Sequence, residues 1–135
     1  MTAWAYIVSE VVKLMIKKHL QIAGGKVLIL GLTFKENCPD LRNTRVVDMV
    51  NEFRGYDTDV DVYDPWINPA EAQHEYGITP VARLQEGRYD AVVLAVAHRE
   101  FLAIGAEQLR RYCKPEGVLY DVKHVLPTSE SDGRL

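Results

Sequence analysis

The feature that most limits the fold of this chain is a short apolar run that ends in glycine and precedes a long polar loop. Val27 to Leu30 are four consecutive apolar residues, and Gly31 follows them directly. Beyond the loop, apolar residues recur at steps of three and four from Val46 to Phe53, which is the spacing of an amphipathic helix. A buried strand, a loop and a helix in this order form the repeating unit of an α/β domain.

The alternation of strand and helix patterns continues along the chain. After a strand at 26–30, the sequence predicts a helix at 44–54, a strand at 59–63, a helix at 69–76, a short strand near 78–81, a strand at 89–96, a helix at 99–112 and a strand at 117–122. Strands separated by helices predict a parallel sheet with right-handed crossovers. We therefore expect a Rossmann-like α/β fold, a parallel sheet flanked by helices.

An amphipathic helix is predicted ahead of the first strand. Residues 3 to about 20 carry a broad apolar stripe, and Gly24–Gly25 would end the helix. A self-contained domain seldom begins in this way. The helix either covers a face of its own sheet or belongs to a larger protein of which this chain is one part, and both can hold.

Composition and charge exclude several classes of protein. A length of 135 residues with 47% hydrophobic content suits one domain with an ordinary core, and a net charge of −3 argues against nucleic acid. The longest apolar run, Ala91–Ala97, is too short to span a bilayer, and the N-terminus lacks the pattern of a signal peptide. Two cysteines, Cys38 and Cys113, are too few for a disulfide framework. We expect a cytoplasmic protein with reduced thiols and no membrane partner.

The loop after the first strand carries the main candidate site. Open α/β sheets bind ligands at the carboxyl ends of their strands, where this loop begins. Lys35, Arg42 and Arg45 bring three cations close to a helix start, for which Asn43 or Thr44 is the expected N-cap. These features predict a site for a phosphate-bearing ligand.

Two residues at other strand ends have competing structural and functional interpretations. Asp64 follows strand 59–63, where a dinucleotide-binding fold places its ribose-binding acid, but Gly31 has no glycine partners at the required spacing. With Pro65 next, Asp64 is better interpreted as the cap of a turn. His98 closes strand 89–96, where a lone histidine is usually a satisfied loop or helix-capping residue. The histidines and cysteines share no metal-ligand spacing, so no metal site is indicated.

Segments spread over nearly the whole chain resemble one known family. They are Gly31–Thr44, Val62–Trp66, Glu75–Ile78, Ala95–Phe101, Tyr120–Lys123 and Asp132–Leu135. They resemble the C-terminal domain of the nucleotide-sugar 6-dehydrogenases typified by UDP-glucose dehydrogenase and GDP-mannose dehydrogenase. The residues of these segments are most similar to those of the branch that oxidises UDP-N-acetylhexosamines for bacterial surface polysaccharides. The resemblance implies a Rossmann-like domain that binds a UDP-sugar.

The resemblance also implies roles for residues of the first loop. Phe34 and Lys35 match a pair that contacts the UDP-sugar, with Lys35 pairing with charge or sugar oxygens and Phe34 shaping the wall. Arg42 matches an arginine that binds NAD, although an ion pair with a nearby carboxylate is the structural alternative. Arg45 is interpreted as solvated or paired within its helix. Cys38 stands where other members have threonine, so a structural role is favoured over a nucleophile.

Two further positions are expected near the sugar. His98 lies in the Ala95–Phe101 segment, which matches the acetamido-sugar branch. Glucose-oxidising members often carry an arginine just before the last strand, but the matching place here is Gly117–Val118. The resemblance leaves Arg134 as a substitute from elsewhere in the chain, and it weakens any expectation of glucose specificity.

The resemblance divides the chain into three parts. Residues 1–24 would end the helix of a middle domain that contributes to a dimer contact, residues 25–127 would bind the UDP-sugar, and residues 128–135 would form a polar tail, loose except for its last residues. The family's catalytic cysteine, general base and NAD fingerprint lie outside such a fragment. We therefore expect that this chain holds no catalytic residue and is inactive alone. NAD would be bound mainly by the missing N-terminal domain. The whole enzyme would oxidise a sugar C6 alcohol to a carboxylate through a cysteine-bound thiohemiacetal, as a homodimer or higher oligomer.

The alternative hypothesis is a free-standing Rossmann-like module that binds a nucleotide or docks a partner without catalysis. An upstream reading frame that begins with a Gly-x-Gly-x-x-Gly strand–helix unit would favour the enzyme fragment. A response-regulator-like switch is excluded, because no acidic cluster ends the first strand.

Overall fold

The computed structural model describes residues 2–135, which build a five-stranded parallel sheet with helices on both faces. The helices are α1 (Ala3–Lys17), α2 (Val46–Gly55), α3 (Pro69–Tyr76), α4 (Arg99–Ile104) and α5 (Ala106–Arg111). The strands are β1 (Lys26–Leu30), β2 (Asp59–Tyr63), β3 (Tyr89–Leu94), β4 (Cys113–Asp121) and β5 (Gly133–Arg134), in the sheet order β2-β1-β3-β4-β5. The predicted Rossmann-like α/β fold is confirmed.

Alternate residues of the central strands feed two separate cores. Val27 and Ile29 of β1 join the cluster formed with α1 and α2, whereas Leu28 and Leu30 join the cluster formed with α4 and α5. Successive side chains of a strand point to opposite faces, so a strand covered on both sides needs an unbroken apolar run. This requirement explains the apolar sequence that precedes Gly31.

Helix α1 covers one face of its own sheet. Its residues Ile7, Val8, Val11 and Met15 are completely buried in the core shared with α2 and the sheet. Thr2 caps the helix by accepting a hydrogen bond from the Ala5 N–H at 3.2 Å. The prediction that this helix packs on its own sheet is confirmed. None of the helices within residues 2–135 is long and apolar enough to cross a membrane.

The order of the strands sets the position of the first loop. β1 lies between β2 and β3, and Leu30 is in register with both Tyr63 and Leu94, so the three strands end at one level. The chain leaves β1 toward β2 on one side and later returns to β3 on the other. Such a reversal is the switch point at which open α/β sheets bind ligands.

Several predicted elements differ from those in the structure. The helix expected at 99–112 is divided into α4 and α5, because Gly105 between them has a φ of 84°. The segment at 78–81 is not a strand and approaches the sheet edge through a hydrogen bond from the Val81 N–H to the Val62 carbonyl oxygen at 2.8 Å. β3 ends at Leu94 instead of residue 96, and β4 begins at Cys113 instead of residue 117.

The C-terminal tail is ordered over more of its length than expected. Thr128–Glu130 form a short 3₁₀ turn, and Gly133–Arg134 pair with the end of β4. Asp132 accepts hydrogen bonds from the Leu119 N–H at 2.7 Å, from Lys18 at 3.0 Å and from Arg110 at 2.8 Å. One carboxylate therefore ties the tail to the sheet and to two helical segments.

Candidate functional site

A cleft of about 200 Å³ opens at the carboxyl ends of β1 and β3. Its walls come from the loop after β1, the start of α2, the end of β3, the segment after β4 and one residue of α1. The lining residues are Trp4, Thr33, Phe34, Asn43, Thr44, Arg45, Val46, Ala95, Val96 and Lys123. The cleft lies at the switch point of the sheet, where the sequence places the candidate site.

The start of α2 forms the polar wall of the cleft. The helix begins at Val46, later than predicted, and Arg45 stands at the N-cap without a capping side-chain hydrogen bond. Thr44, one of the two expected caps, instead accepts a hydrogen bond from the Val46 N–H at 3.2 Å. The unpaired N–H groups of a helix start carry partial positive charge, which favours an anion at this wall.

Phe34 and Lys35 lie at the tip of the first loop. Phe34 lines the cleft although 56% of it is exposed. Lys35 is also exposed, and its ammonium group takes part in none of the ion pairs formed within residues 2–135. The pair is therefore free to meet a ligand, and its contact with a UDP-sugar stays a prediction.

Arg42 and Arg45 differ in their surroundings. Arg42 donates from Nε and Nη2 to the Asp40 carboxylate at 3.1 and 3.3 Å, the ion pair that the sequence left open. Hydrogen bonds from Arg42 hold the pKa of Asp40 below its usual value. The Arg42 side chain remains 85% exposed, so the ion pair leaves room for a ligand. Arg45 lies 3.8 Å from Asp48, the intrahelical partner expected for it.

The turn after β1 does not have the shape of a dinucleotide cradle. Gly31 has a φ of 97°, and a Cβ placed on it would lie 2.5 Å from the Cβ of Val96. The space against this glycine is therefore filled by the protein itself. Asp64, at the place of a ribose-binding acid, is buried and accepts hydrogen bonds from the Leu32 and Thr33 N–H groups at 2.7 and 3.2 Å. Gly31 and Asp64 therefore could not hold the pyrophosphate and ribose of NAD as the corresponding residues of a dinucleotide-binding fold do.

Asp64 and His98 form a buried pair beneath the cleft. His98 is completely buried, and its Nε2 lies 2.9 Å from Asp64 Oδ2. Burial raises the pKa of Asp64, but hydrogen bonds from His98 and from the Leu32 and Trp66 N–H groups outweigh it and hold the pKa below its usual value. Asp64 Oδ1 accepts from the Trp66 N–H at 2.8 Å, which confirms the predicted turn cap. The sequence did not reveal the contact with His98.

His98 is a satisfied buried residue, as the structural interpretation of the sequence expects. It stands at the N-cap of α4, but its side chain does not cap that helix. Its Nδ1 accepts a hydrogen bond from the Asn37 N–H at 3.0 Å, so both ring nitrogens have partners within the domain. Neither nitrogen faces the cleft, and any effect of His98 on the sugar would act through the loop.

Arg134 lies away from the cleft. It is on the outer strand β5 and donates to Thr128 Oγ1 at 2.7 Å. It lines a second, smaller cleft beside α1, together with Lys13 and Tyr120. Its predicted place near the sugar would therefore need a ligand that extends across the edge of the sheet.

The thiols and the metal-ligating residues add no further chemistry to the site. Cys38 and Cys113 are both free, and burial raises the pKa of Cys113 to about 11. Within the described residues, no group of three or more histidine, cysteine, aspartate or glutamate side chains could hold a metal ion. The cation that sequence reasoning missed is Lys123, which lines the cleft together with Arg45. Its signal was its position two residues after the end of strand β4.

The fold and the cleft define a Rossmann-like α/β domain with a cleft at the switch point of its sheet, lined by Arg45 and Lys123. Residues 28–128 match the profile described as "UDP-glucose/GDP-mannose dehydrogenase family, UDP binding domain". The chain belongs to this family.

Relatives agree with this assignment, and a solved structure has the same fold. The chain is 55% identical over 131 residues to UDP-N-acetyl-D-glucosamine 6-dehydrogenase of Pseudomonas aeruginosa, covering 97% of this chain and 31% of that protein. It is 48% identical to the enzyme of the same name from Salmonella typhi, covering 96% and 31%. An NDP-N-acetyl-D-galactosaminuronic acid dehydrogenase from Methanosarcina mazei shares the fold, with a TM-score of 0.80, 21% identity, and coverage of 94% of this chain and 26% of that one. The chain thus spans less than a third of the length of these relatives.

Proposed function

We propose that this chain is the UDP-sugar-binding part of an NAD-dependent UDP-N-acetylhexosamine 6-dehydrogenase. The observation that carries the proposal is the cleft at the carboxyl ends of β1 and β3, in a chain that is 55% identical to a UDP-N-acetyl-D-glucosamine 6-dehydrogenase. The complete enzyme oxidises the C6 alcohol of the sugar to a carboxylate, as a step toward bacterial surface polysaccharide. A free-standing binding module is the alternative, and relatives about three times as long argue against it.

The charges around the cleft suit a diphosphate. The start of α2 contributes the positive end of its helix dipole, while Arg45 and Lys123 line the walls and Lys35 stands exposed at the loop tip. Cations and N–H groups form charge-assisted hydrogen bonds with phosphate oxygens, which are stronger than neutral ones. Phe34 supplies an apolar surface beside them for the sugar or the base. These residues bind and orient the substrate.

This chain's share of the reaction is to position the sugar. Holding the reacting group in place and closing the site to water lower the barrier without any covalent chemistry from these residues. NAD, when bound, would accept the hydrides, and most of its contacts belong to the part of the enzyme outside this chain. Arg42 is the residue here that we assign to the cofactor, because its guanidinium is exposed beside the cleft loop.

The assembly and location follow from the same proposal. We assign the enzyme to the cytoplasm, where free thiols such as Cys38 and Cys113 persist and UDP-sugars are made. We further propose that the solvent-exposed face of α1, which includes Tyr6 and Ile16, contributes to a homodimer contact. The opposite face of α1 packs on the sheet, so the two roles use different sides of one helix.

Calorimetry tests the binding proposal. The complete enzyme, of which this chain is the proposed part, and the 135-residue chain would each be titrated with UDP, UDP-N-acetylglucosamine, UDP-glucose, GDP and NAD. We expect the enzyme to bind UDP and its acetamido sugar more tightly than GDP. The chain alone should show the same order of preference but no measurable affinity for NAD. An enzyme that does not distinguish UDP from GDP, or a chain that binds NAD alone, would contradict the proposal.

A further inference from the structure

We propose that His98 is a positioning residue that, with Asp64 and Asn37, holds the Phe34–Lys35 loop in the shape that binds the substrate. The inference rests on the proposed function, because it concerns the affinity of that loop for a UDP-sugar. His98 itself would touch no ligand.

The sheet order brings the members of this group together. Asp64 follows β2 and His98 lies a few residues beyond β3, the two strands that flank β1. Their side chains meet over the end of β1, with both side chains fully shielded from solvent and 2.9 Å between His98 Nε2 and Asp64 Oδ2. Because Asp64 Oδ2 also accepts from the Leu32 and Thr33 N–H groups, the pair holds the first residues of the loop.

The hydrogen bonds around His98 assign its tautomer. The Asn37 N–H donates to Nδ1 at 3.0 Å, so Nδ1 is an acceptor and the ring proton is on Nε2. That proton is directed at Asp64 and lies near Thr33 Oγ1, 3.2 Å from Nε2. The Thr33 hydroxyl in turn donates to the Lys35 carbonyl oxygen at 2.9 Å. Hydrogen bonds therefore link His98 to Asp64, Asp64 to the Thr33 N–H, and the Thr33 hydroxyl to the backbone of Lys35.

Asn37 is the second anchor of the loop. Its φ of 55° is in the left-handed region, which asparagine tolerates better than most residues. Its backbone N–H is bound to His98, and its Oδ1 accepts a hydrogen bond from the Arg99 N–H at 2.8 Å. The loop is thus attached on both sides of its tip.

Between the two anchors lies an exposed three-residue tip, Phe34 to Glu36, in which the Phe34 N–H also donates to the Asp40 carbonyl oxygen at 2.9 Å. The Trp66 ring stacks on the His98 ring with 5.9 Å between ring centroids, and the Phe101 ring lies 5.6 Å from the His98 ring by the same measure. The two aromatic neighbours therefore confine the His98 ring. A buried histidine–carboxylate pair is a costly way to stabilise a core compared with apolar side chains. A role in holding the tip explains why polar groups occupy this place.

The first test compares substitutions of His98 in the complete enzyme, with UDP-N-acetylglucosamine as the probe. His98→Phe keeps an aromatic ring, although a larger one, and removes both hydrogen bonds, and we expect it to weaken binding about tenfold or more. His98→Asn retains an acceptor close to Nδ1 and should recover part of that loss. His74→Phe on the exposed surface of α3 is the matched control and should bind as the parent does. A stable His98→Phe enzyme with unchanged affinity would overturn the proposal.

A double-mutant cycle separates this proposal from the function on which it rests. If Lys35→Ala does not alter affinity, the proposed function of the loop fails whatever His98 does. If Lys35→Ala weakens binding, His98→Phe should cost less in that background than in the parent enzyme, because the contact of Lys35 is already lost there. An equal loss in both backgrounds would show that His98 does not act through Lys35.

Hydrogen exchange provides a readout that does not depend on ligand. In His98→Phe, the Asn37 amide should exchange faster while amides of β1 and β3 keep their protection. If this variant does not fold, Asn37→Gly replaces it, because the exposed Asn37 can lose its side chain at a positive φ without strain. Asn37→Gly should lower affinity severalfold, and an unchanged affinity would contradict the proposal.

Discussion

The side chain of Val96 lies against Gly31 so closely that a Cβ on the glycine would be 2.5 Å from the Val96 Cβ. Gly31 also donates its N–H to the Tyr63 carbonyl oxygen at 2.9 Å. The glycine therefore serves the packing of β1 between β2 and the segment after β3. It is not the glycine of a pyrophosphate cradle, which must leave its face open to a ligand.

The isolated 135-residue chain should produce no NADH from any UDP-sugar. It has neither a dinucleotide cradle at Gly31 nor a free carboxylate at Asp64. NADH fluorescence, recorded at high concentration of the chain and with the longer enzyme as the positive control, measures this. Any turnover by the purified chain would refute the prediction.

Replacing Lys35 with alanine should weaken binding of a UDP-sugar by about tenfold or more, because a charge-assisted contact in a closed site contributes roughly 1.5–3 kcal/mol. Lys26→Ala, at the opposite end of β1, is the control. Its ion pair with Asp59 is exposed and contributes little. Equal affinities of the two variants would show that Lys35 is only a surface charge.

Arg42 should serve the active site of the neighbouring subunit. Its guanidinium is exposed on a loop that holds no cofactor motif, and a planar fork can bind phosphate or ribose groups across an interface. The measurement is complementation between one subunit with Arg42→Ala and a second that lacks the catalytic cysteine.

Each of these homodimers should be nearly inactive, whereas mixed dimers should regain one complete site. Formation of mixed dimers would be verified by two different affinity tags. If mixed dimers form and remain inactive, Arg42 acts within its own subunit.

Asp132→Ala should lower the free energy of unfolding by roughly 2–4 kcal/mol, because it removes an acceptor shared by Lys18, Arg110 and the Leu119 N–H. Asp59→Ala, in an exposed pair, should cost less than about 1 kcal/mol. Urea denaturation of the chain compares the two. Equal losses would show that the C-terminal tail adds no stability.

Stability should fall in acid partly through Asp64. The fold lowers the pKa of Asp64, so its contribution is complete above the unfolded-state pKa, about 4, and is lost as pH decreases through the folded-state value. Asp64→Asn should therefore be less stable than the parent at neutral pH. The difference should shrink as pH decreases from about 4 toward 2. A difference that stays constant over this range would contradict the assignment.

Local sequence determined several elements of the fold completely. β1, β2 and α3 have the bounds predicted from the sequence. The apolar run of β1 is recognisable because both faces of that strand are covered, and α3 begins with Asn68 as cap and Pro69 in its first turn. Gly105 also carried a local signal, since glycine interrupts helices, but the apolar pattern on either side concealed the break.

The candidate site was predictable in position but not in internal structure. The first loop with Phe34 and Lys35 follows from its place after β1, because the carboxyl ends of parallel strands bind ligands. The pairing of Asp64 with His98, 34 residues apart, and of Lys18 with Asp132, 114 residues apart, follows from no local pattern. Periodicity reports which face of an element is apolar, whereas the order of strands in the sheet decides which loops meet. The sequence thus determined most of the elements and the sheet edge at which the cleft opens, and only the tertiary structure decided which polar side chains share a hydrogen bond there.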